Sequence, residues 1–379
     1  MKKIVIAAYT RSPQTFAHKG ALARVRPDEL AAQVIKGLLS KISINNDDIE
    51  DLIMGCAFPE GEQGYNIARL VGLMAGLPKS VAGVTVNRFC GSSMQAIHMA
   101  AGAIQMNAGE AFICAGVESM SRIPMGGFNP MPNPELYKSM PAAYISMGET
   151  AENVAKKYNL SRSQQDEFAV NSQLKAAKAI QAGLLTDEIC AIITRGNGIV
   201  DTDGCIRPNS NIEALADLKP AFQIDGTVTA ASSSPLTDGA SATLICSEEY
   251  AQRNNIIPLA RIKSIAVAGC APDVMGLGPI AATNKALKRA NLTINDIDIV
   301  EINEAFASQS IACIQELGIL TERVNIDGGA IALGHPLGAT GARITGKAAA
   351  LLQRETKQYA LATQCIGGGQ GIATILEAI

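Results

Sequence analysis

The chain of 379 residues has no tryptophan, only eight phenylalanines and seven tyrosines, so its core must come from aliphatic side chains and close backbone contacts rather than stacked rings. Histidine is scarce at three, and the nine cysteines are an odd number scattered without C-x-x-C pairs. This excludes a disulfide framework and a structural zinc site, and no metal is expected. It also implies a reducing compartment. No apolar run approaches the roughly 20 residues that a membrane-spanning helix needs. The opening MKKIVIAAYTR is broken at Arg11 and reads as a first strand rather than a signal peptide, and the closing Glu-Ala-Ile is no peroxisomal address. A soluble, cytoplasmic protein is expected. Basic charge is not in excess either: 32 Lys and Arg face 35 Asp and Glu, a net charge of −3, so nucleic acid has no electrostatic footprint to find. Any phosphate on a partner must be held locally.

What is plentiful is glycine, 35 residues, in a chain that is 47% hydrophobic. Together with a length beyond one hydrophobic core, this predicts a tightly packed α/β protein of two or three subdomains. Strand and helix alternate from Lys3 to Ala115, which favours parallel strands with covered faces. The order then repeats. Asp296-Ile-Asp-Ile-Val-Glu-Ile-Asn303 echoes Asp48-Ile-Glu-Asp-Leu-Ile-Met-Gly55 at an offset of 248 positions, and Val324 to Gly334 and Tyr359 to Cys365 follow as echoes of Val84 to Gly91 and Ala111 to Gly116. Two similar halves are inferred, 1–118 (completed by about 236–258) and 259–379. Between them, 119–235 begins with a stretch holding five of the twelve methionines and five of the sixteen prolines, which no regular sheet accepts. It continues into helices, one opened by the capping box Ser161-Arg-Ser-Gln164 and stopped by Gly183. We read it as an inserted lid whose thioethers suit an apolar chain.

Within VTVNRFCGSSMQAIHMAA (Val84–Ala101) an alternating strand changes to helical spacing at Cys90. A cysteine at a helix N-terminus meets unpaired N–H groups and the positive end of the dipole, so Cys90 is a candidate thiolate nucleophile. Its base must be one of three histidines. His98 lies eight residues along the same helix, roughly 12 Å away at about 1.5 Å per residue, and reads as packed or solvated. His18 sits in a charged loop. His335, in GGAIALGHPLGATG, has glycines clearing space around its ring and is the functional candidate. Asn303, in Asn-Glu-Ala-Phe after an apolar strand, protrudes either as a helix N-cap or as a side-chain donor. Cys365 ends a strand before Ile-Gly-Gly-Gly-Gln-Gly, where amide groups can converge as an oxyanion hole. The segment Gly341 to Lys347 fits a phosphate-loop pattern but continues with Ala348 and lies inside a helix, which excludes nucleotide triphosphate.

These blocks together, with SSSPLTDGASA from Ser232, resemble the thiolase family along essentially the whole chain. The resemblance implies thiolase-like duplicated α/β halves, with mixed sheets covered by helices and a lid inserted in the first half. It implies that Cys90 takes the acyl group, that His335 activates it, and that Cys365 is the general acid/base at the α-carbon or leaving thiol. Asn303, through a held water, and His335 would form one oxyanion site, and the N–H groups of Cys90 and Gly367 the other. For coenzyme A it points to Ser234 at the pantetheine, Arg207 near the nucleotide end, and Met147, Met275 and Phe306 along the tunnel. Coenzyme A and acyl-CoA enter as substrates, with no permanently bound cofactor, and a homodimer or homotetramer is implied. Where acetoacetyl-CoA-forming members carry histidine, this chain has Ser146 before Met147, and Ala231-Ser232 stands where Gly-Asn is common. The first departure, with Cys-Gly-Ser-Ser, favours the degradative branch, which cleaves 3-ketoacyl-CoA with free CoA; the biosynthetic direction is the alternative. A non-catalytic acyl-CoA or lipid binder on the same fold is opposed by the presence of all four reactive side chains. A ketoacyl synthase would carry a second histidine in place of the Cys365 region.

Overall fold

The computed structural model of the protein describes residues 2–379. Strand β1 (Ile4–Arg11) and the two-residue β2 (Thr15–Phe16) lead into α1 (Pro27–Ser40), β3 (Ile49–Gly55), α2 (Ile67–Ala75), β4 (Ala82–Val86), α3 (Ser92–Gln105) and β5 (Ala111–Ser119). Pro27 opens α1, where its missing N–H costs no hydrogen bond, and Asp28 and Glu29 lie in the first turn against the positive end of the dipole. The chain then leaves the sheet for α4 (Pro134–Ser139), α5 (Met147–Lys157), α6 (Arg162–Gln181), the small hairpin β6 (Ile192–Ile193) and β7 (Ile199–Val200), and α7 (Ile212–Ala216). Reciprocal bonds between Ser161 and Gln164 start α6 as the sequence predicts. Gly183, at φ 71°, turns the chain away after it.

The chain returns as β8 (Thr237–Ser247) and α8 (Glu248–Arg253), then forms β9 (Ala260–Gly269), α9 (Gly278–Ala290), β10 (Ile299–Ile302), α10 (Ala307–Leu317), α11 (Ala330–Leu333), α12 (Thr340–Arg354), β11 (Tyr359–Ile366) and β12 (Gln370–Glu377). One ten-stranded sheet runs in the order β10-β11-β12-β9-β1-β8-β5-β3-β4, with β2 beside β8. Its two ends mirror each other. Read outward from the centre, β1-β8-β5-β3 on one side matches β9-β12-β11-β10 on the other, and the halves meet where Val5 and Ile6 pair with Arg261 and Ala260.

The sheet is mixed, as the resemblance implies, which narrows the reading of parallel strands from alternation alone: β3, β4 and β5 are parallel, as are β10 and β11, but β8 and β12 return antiparallel within each half. A hairpin return is short, and three glycines (Gly367–Gly369) make one between β11 and β12. The echo also weakens at Val324 to Gly334. In place of a counterpart to β4 there is a single bridge from Val300 to Val324, followed by α11.

The sheet halves are layered with helices. Apolar residues of α1 and α2 bury one outer face, and those of α9 and α10 the other. Between them α3 and α12 share a core that draws on β1, β3, β5, β10, β11 and β12, from Ile4, Ile53 and Met94 to Ile299, Ala342 and Leu376. Strands covered on both faces have no reason to alternate, and β5 and β8 are buried at every position. Among the described residues no helix is long and apolar enough to cross a membrane.

Candidate active site

The central helices α3 and α12 bring the loops before them together. The N–H of Ala342 donates to Ser93 Oγ at 2.8 Å, joining the first turns of the two helices. Cys90 lies just ahead of α3, whose N-cap is Gly91. The turn is strained: Phe89 has φ 42°, a left-handed conformation for a bulky residue. It is held there by Asn87 Oδ1, which accepts the Phe89 N–H at 2.8 Å, and by Ser92 Oγ, which donates to the Phe89 carbonyl at 2.6 Å.

The second half reaches over to this turn. Gln364 Nε2 donates to the Cys90 carbonyl, and Arg88 Nη1 donates to Gln370 Oε1 at 2.7 Å. The N–H groups of Gly367 and of Cys90 itself face the Cys90 sulfur and favour its thiolate. Burial is the larger effect and pushes the thiol up to about 12, with the Glu118 carboxylate adding to it. The expected resting thiolate at a helix terminus is therefore not found. Desolvation outweighs the dipole here, and Cys90 rests as a thiol that needs a base.

His335 is held at its backbone, where its N–H donates to Thr237 Oγ1 at 3.0 Å. Gly334 before it, at φ 103°, has no room for a side chain, since a Cβ would lie 2.7 Å from Thr237 Cγ2. Around the ring, Nδ1 lies 2.6 Å from Thr340 Oγ1, and that hydroxyl donates to the Pro336 carbonyl at 3.1 Å. The Thr340 proton is thus spent, so Nδ1 carries the ring hydrogen and Nε2 the lone pair. Burial, then Arg343, hold the imidazole down to about 3, so that it rests neutral.

Asn303 is not a helix cap. Helix α10 begins at Ala307 with Phe306 at the N-cap, and Asn303 instead directs Nδ2 at His335 Nε2, 3.3 Å away. Its Oδ1 is buried without a protein partner. Next to it, Glu304 accepts from Ser172 Oγ at 2.6 Å, Asn325 Nδ2 at 2.7 Å and the Ile331 N–H at 3.1 Å. That fixes the strand end from which Asn303 projects.

Cys365 is the next-to-last residue of β11, at the end of the strand as the sequence predicts. Its thiol is raised by burial and, next, by Cys90, so the two sulfurs lie within electrostatic reach of each other. Cys365 packs with Met147 of α5, Met275, Ala305 and Phe306 in one apolar cluster. Gly367 contacts Met147, since a Cβ there would lie 3.4 Å from its sulfur. Ser234 sits against the same wall, where its N–H and hydroxyl both donate to the Ala305 carbonyl, at 3.0 and 3.1 Å. Arg207 is placed apart. It is exposed, with its guanidinium 5.2 Å over the Phe16 ring and its N–H on Gln173 Oε1. The other two histidines stay outside the cluster: His98 is buried against Thr374 Oγ1 at 2.9 Å, and His18 is exposed. Among the described residues no group of three or more His, Cys, Asp or Glu is placed to hold a metal ion.

Sequence reasoning missed the supports, Thr237, Thr340, Gln364 and Glu118. Only Glu118 left a signal, as the one charged residue in the strand AFICAGVES. A charge in a run buried on both faces demands partners.

Residues 4–249 match the family model for the thiolase N-terminal domain, and residues 256–378 match that for the thiolase C-terminal domain. A 3-ketoacyl-CoA thiolase of Bacillus subtilis is 46% identical over 389 residues, and one of Shewanella loihica 47% over 386, each comparison covering 100% of both chains. The crystal structure of human mitochondrial 3-ketoacyl-CoA thiolase in complex with CoA superposes with a TM-score of 0.92 at 37% identity, covering 100% of this chain and 98% of that one.

Proposed function

The chain is an acyltransferase of the thiolase family, and from that premise we propose that it cleaves 3-ketoacyl-CoA with free CoA, releasing acetyl-CoA and a shortened acyl-CoA. The observation that carries this reading is the meeting of the Cys90 turn with the end of β11: Gln364 and Ile366, the neighbours of Cys365, reach the Cys90 carbonyl and Gly91, and the Gly367 N–H faces the Cys90 sulfur. A thioester intermediate needs one thiol as nucleophile. A carbon–carbon bond beside a carbonyl needs a second group that moves a proton on and off carbon.

In the proposed route Nε2 of His335 takes the Cys90 proton, and the sulfur attacks the 3-keto carbon. The bond between C2 and C3 breaks, its electron pair stays on C2, and Cys365 protonates that carbon to complete acetyl-CoA. Free CoA then gives its thiol proton to the Cys365 thiolate and attacks the acyl-Cys90 carbonyl. Cys90 leaves as thiolate and recovers its proton from His335. The enolate oxygen of the departing acetyl-CoA, onto which the C2 electron pair delocalises, would be met by His335, protonated at Nε2, and by a water held by Asn303, whose unpartnered Oδ1 suits such a water. The C3 oxygen, in the tetrahedral intermediate that forms the acyl-enzyme and in the one that resolves it, would be met by the N–H groups of Gly367 and Cys90. Met147, Met275 and Phe306, packed around Cys365, suit the pantetheine and acyl chain, with Ser234 at the same wall. Arg207, exposed over Phe16, is proposed for the nucleotide end.

The degradative direction is favoured by Ser146, whose side chain accepts the Glu149 N–H as the cap of α5 and leaves no imidazole at that place. We also propose a division into two halves, 1–118 with 236–258 and 259–379, around the lid at 119–235. The return of β8 beside β5 supports it. A cytoplasmic homodimer or homotetramer is proposed on the outer edge of β4, which pairs with no other strand among the described residues, and on the exposed Leu70, Leu73 and Met74 of α2. Light scattering at assay concentration tests the oligomer, and a monomer there rejects it.

The function is tested by following acetyl-CoA release from 3-ketoacyl-CoA of short to long chain, with iodoacetamide labelling in parallel. Thiolysis is expected, with Cys90 labelled first and protected by prior acyl-CoA. Full activity after Cys90 is labelled would reject the reading.

A further inference from the structure

Glu118, next to last in β5, is 1% exposed. Its Oε2 accepts the N–H of Ala57 at 2.8 Å and of Gly338 at 2.9 Å, while Oε1 accepts the Phe58 N–H at 3.3 Å and Gln63 Nε2 at 2.7 Å, with Cys56 Sγ 3.8 Å away. Every nitrogen donor is uncharged. A protonated acid would set an O–H against one of these N–H groups, so the pattern is that of a carboxylate. Burial raises its proton affinity above the ordinary carboxyl value, and the four donors offset only part of that.

The donors come from two places that meet at Cys90. One is the loop after β3, tied to the Cys90 turn by Asn87 Nδ2, which donates to the Ala57 carbonyl at 3.0 Å, and by the Phe58 ring, 5.9 Å from that of Phe89. The other is the turn His335-Pro-Leu-Gly338, where Gly338 leaves no space, since a Cβ would lie 2.9 Å from Glu118 Oε2. Ala57 and Leu337 belong to one small apolar cluster, and Phe58 and Cys90 pack against it. Gly338 and Cys90 are 248 positions apart, the offset at which the two halves echo each other. Each lies two residues before a central helix, and each turn is gripped by a strand of the opposite half: Cys90 by Gln364 of β11, Gly338 by Glu118 of β5.

We propose that Glu118 is a positioning residue for acyl transfer, one whose carboxylate sets the spacing between the His335 turn and the platform under Cys90. Its charge adds, as a smaller influence, to the burial that keeps the Cys90 proton in place until His335 takes it. The proposal rests on the thiolase reading given above. Other ionisable or charged groups around Cys90 are Cys365 from β11, His335 from the turn before α12, Cys56 beside Glu118, and Arg88 in its own loop, already bonded to Gln95 at 2.9 Å and Gln370 at 2.7 Å. The loop after β3 also carries Glu60 and Glu62, but these are taken by the Phe128 N–H and by Arg26 and Arg122, and Glu118 is the carboxylate whose charge reaches Cys90.

The test compares the full-length protein with Glu118→Gln and Glu118→Asp, measuring kcat and KM for thiolysis and the pH dependence of Cys90 alkylation by iodoacetamide. In Glu118→Gln, kcat should fall about 10- to 100-fold with KM within about twofold, because the amide turns a donor toward N–H groups. Its alkylation profile should move about 1 pH unit lower, because the anion is gone. A more reactive thiol with slower turnover is an outcome that simple loosening does not give. Glu118→Asp keeps the charge and shortens the reach, so its profile should stay near that of the wild type while kcat falls. An unchanged kcat in Glu118→Gln, or a profile that shifts equally in both variants, overturns the proposal. Should Glu118→Gln fail to fold, the Glu118→Asp profile decides alone: held, it supports the charge; moved down, it overturns it. Absence of thiolysis in the wild type would instead reject the parent reading, and the alkylation profiles would still judge the role of the charge.

Discussion

Asn303 presents its amide nitrogen 3.3 Å from Nε2 of His335, from a separate turn of the same half. The imidazole is thereby fixed at both nitrogens, by Thr340 at Nδ1 and by Asn303 at Nε2. Replacing Asn303 by alanine removes one of these and the proposed water site. We expect kcat to fall about 100-fold with little change in KM, because the lost contact serves the transition state more than the ground state. Steady-state thiolysis kinetics check this, and a change in KM alone would count against it.

The two cysteines should fail differently. Cys90→Ala should abolish turnover while acyl-CoA affinity, read by calorimetry, stays within about threefold, since only the nucleophile is removed. Cys365→Ala should still accept an acyl group on Cys90 from an acyl-CoA thioester, more slowly because the departing CoA must leave without a proton from Cys365, seen as a mass increase on the Cys90 peptide. It should lose cleavage of 3-ketoacyl-CoA, where a proton must reach carbon. Equal loss of both steps in Cys365→Ala would contradict the division of roles.

Acid sensitivity follows from a buried ion network. Glu188 accepts from Arg11 Nε at 2.8 Å and Lys347 Nζ at 2.9 Å, and the two cations hold its carboxyl down to about 2 against burial. A carboxyl depressed in the folded state stabilises fully above its unfolded value of 4.5 and loses that contribution as pH falls toward 2. His335, depressed from 6.5 to about 3, adds in the same direction between those values. The melting temperature should therefore fall steeply below about pH 5. Glu188→Gln should lower it at pH 7 by removing one partner of a buried pair, a cost of about 3 kcal/mol. It should also flatten the acid dependence, and parallel curves would refute the assignment.

Gly334→Ala should damage activity and stability together. The position is left-handed at φ 103°, and a methyl group would meet Thr237 Cγ2 at 2.7 Å. A loss of about 1–3 kcal/mol is expected by denaturant titration. Because Thr237 holds the His335 N–H, kcat should fall with it. A stable, active variant would mean that the turn relaxes without moving the imidazole.

Much of this molecule can be read before it is folded. Periodicity gives most strands and helices, and the offset between Asp48–Gly55 and Asp296–Asn303 gives the two halves whose strand order the sheet repeats. Glycines mark the turns beside His335 and Cys365. What cannot be read is whatever depends on contacts across the halves. The protonation of Cys90 is the clear case, because the helix start is local while the burial that outweighs it comes from folding. Asn303 is another: a cap and a histidine partner look alike until His335 is placed beside it. Thr340, five residues past His335, is ordinary in sequence and acquires its role only when the turn folds the ring back onto its hydroxyl.

The crossed grip of Glu118 on Gly338 and Gln364 on Cys90 means that neither half can assemble a working centre by itself. If the gene were split in the linker between Arg253 and Ala260, each fragment would keep its own strands but lose the clasp on its loop. Activity would then return only on mixing, with second-order kinetics, which makes the protein a natural scaffold for a two-part reporter of proximity.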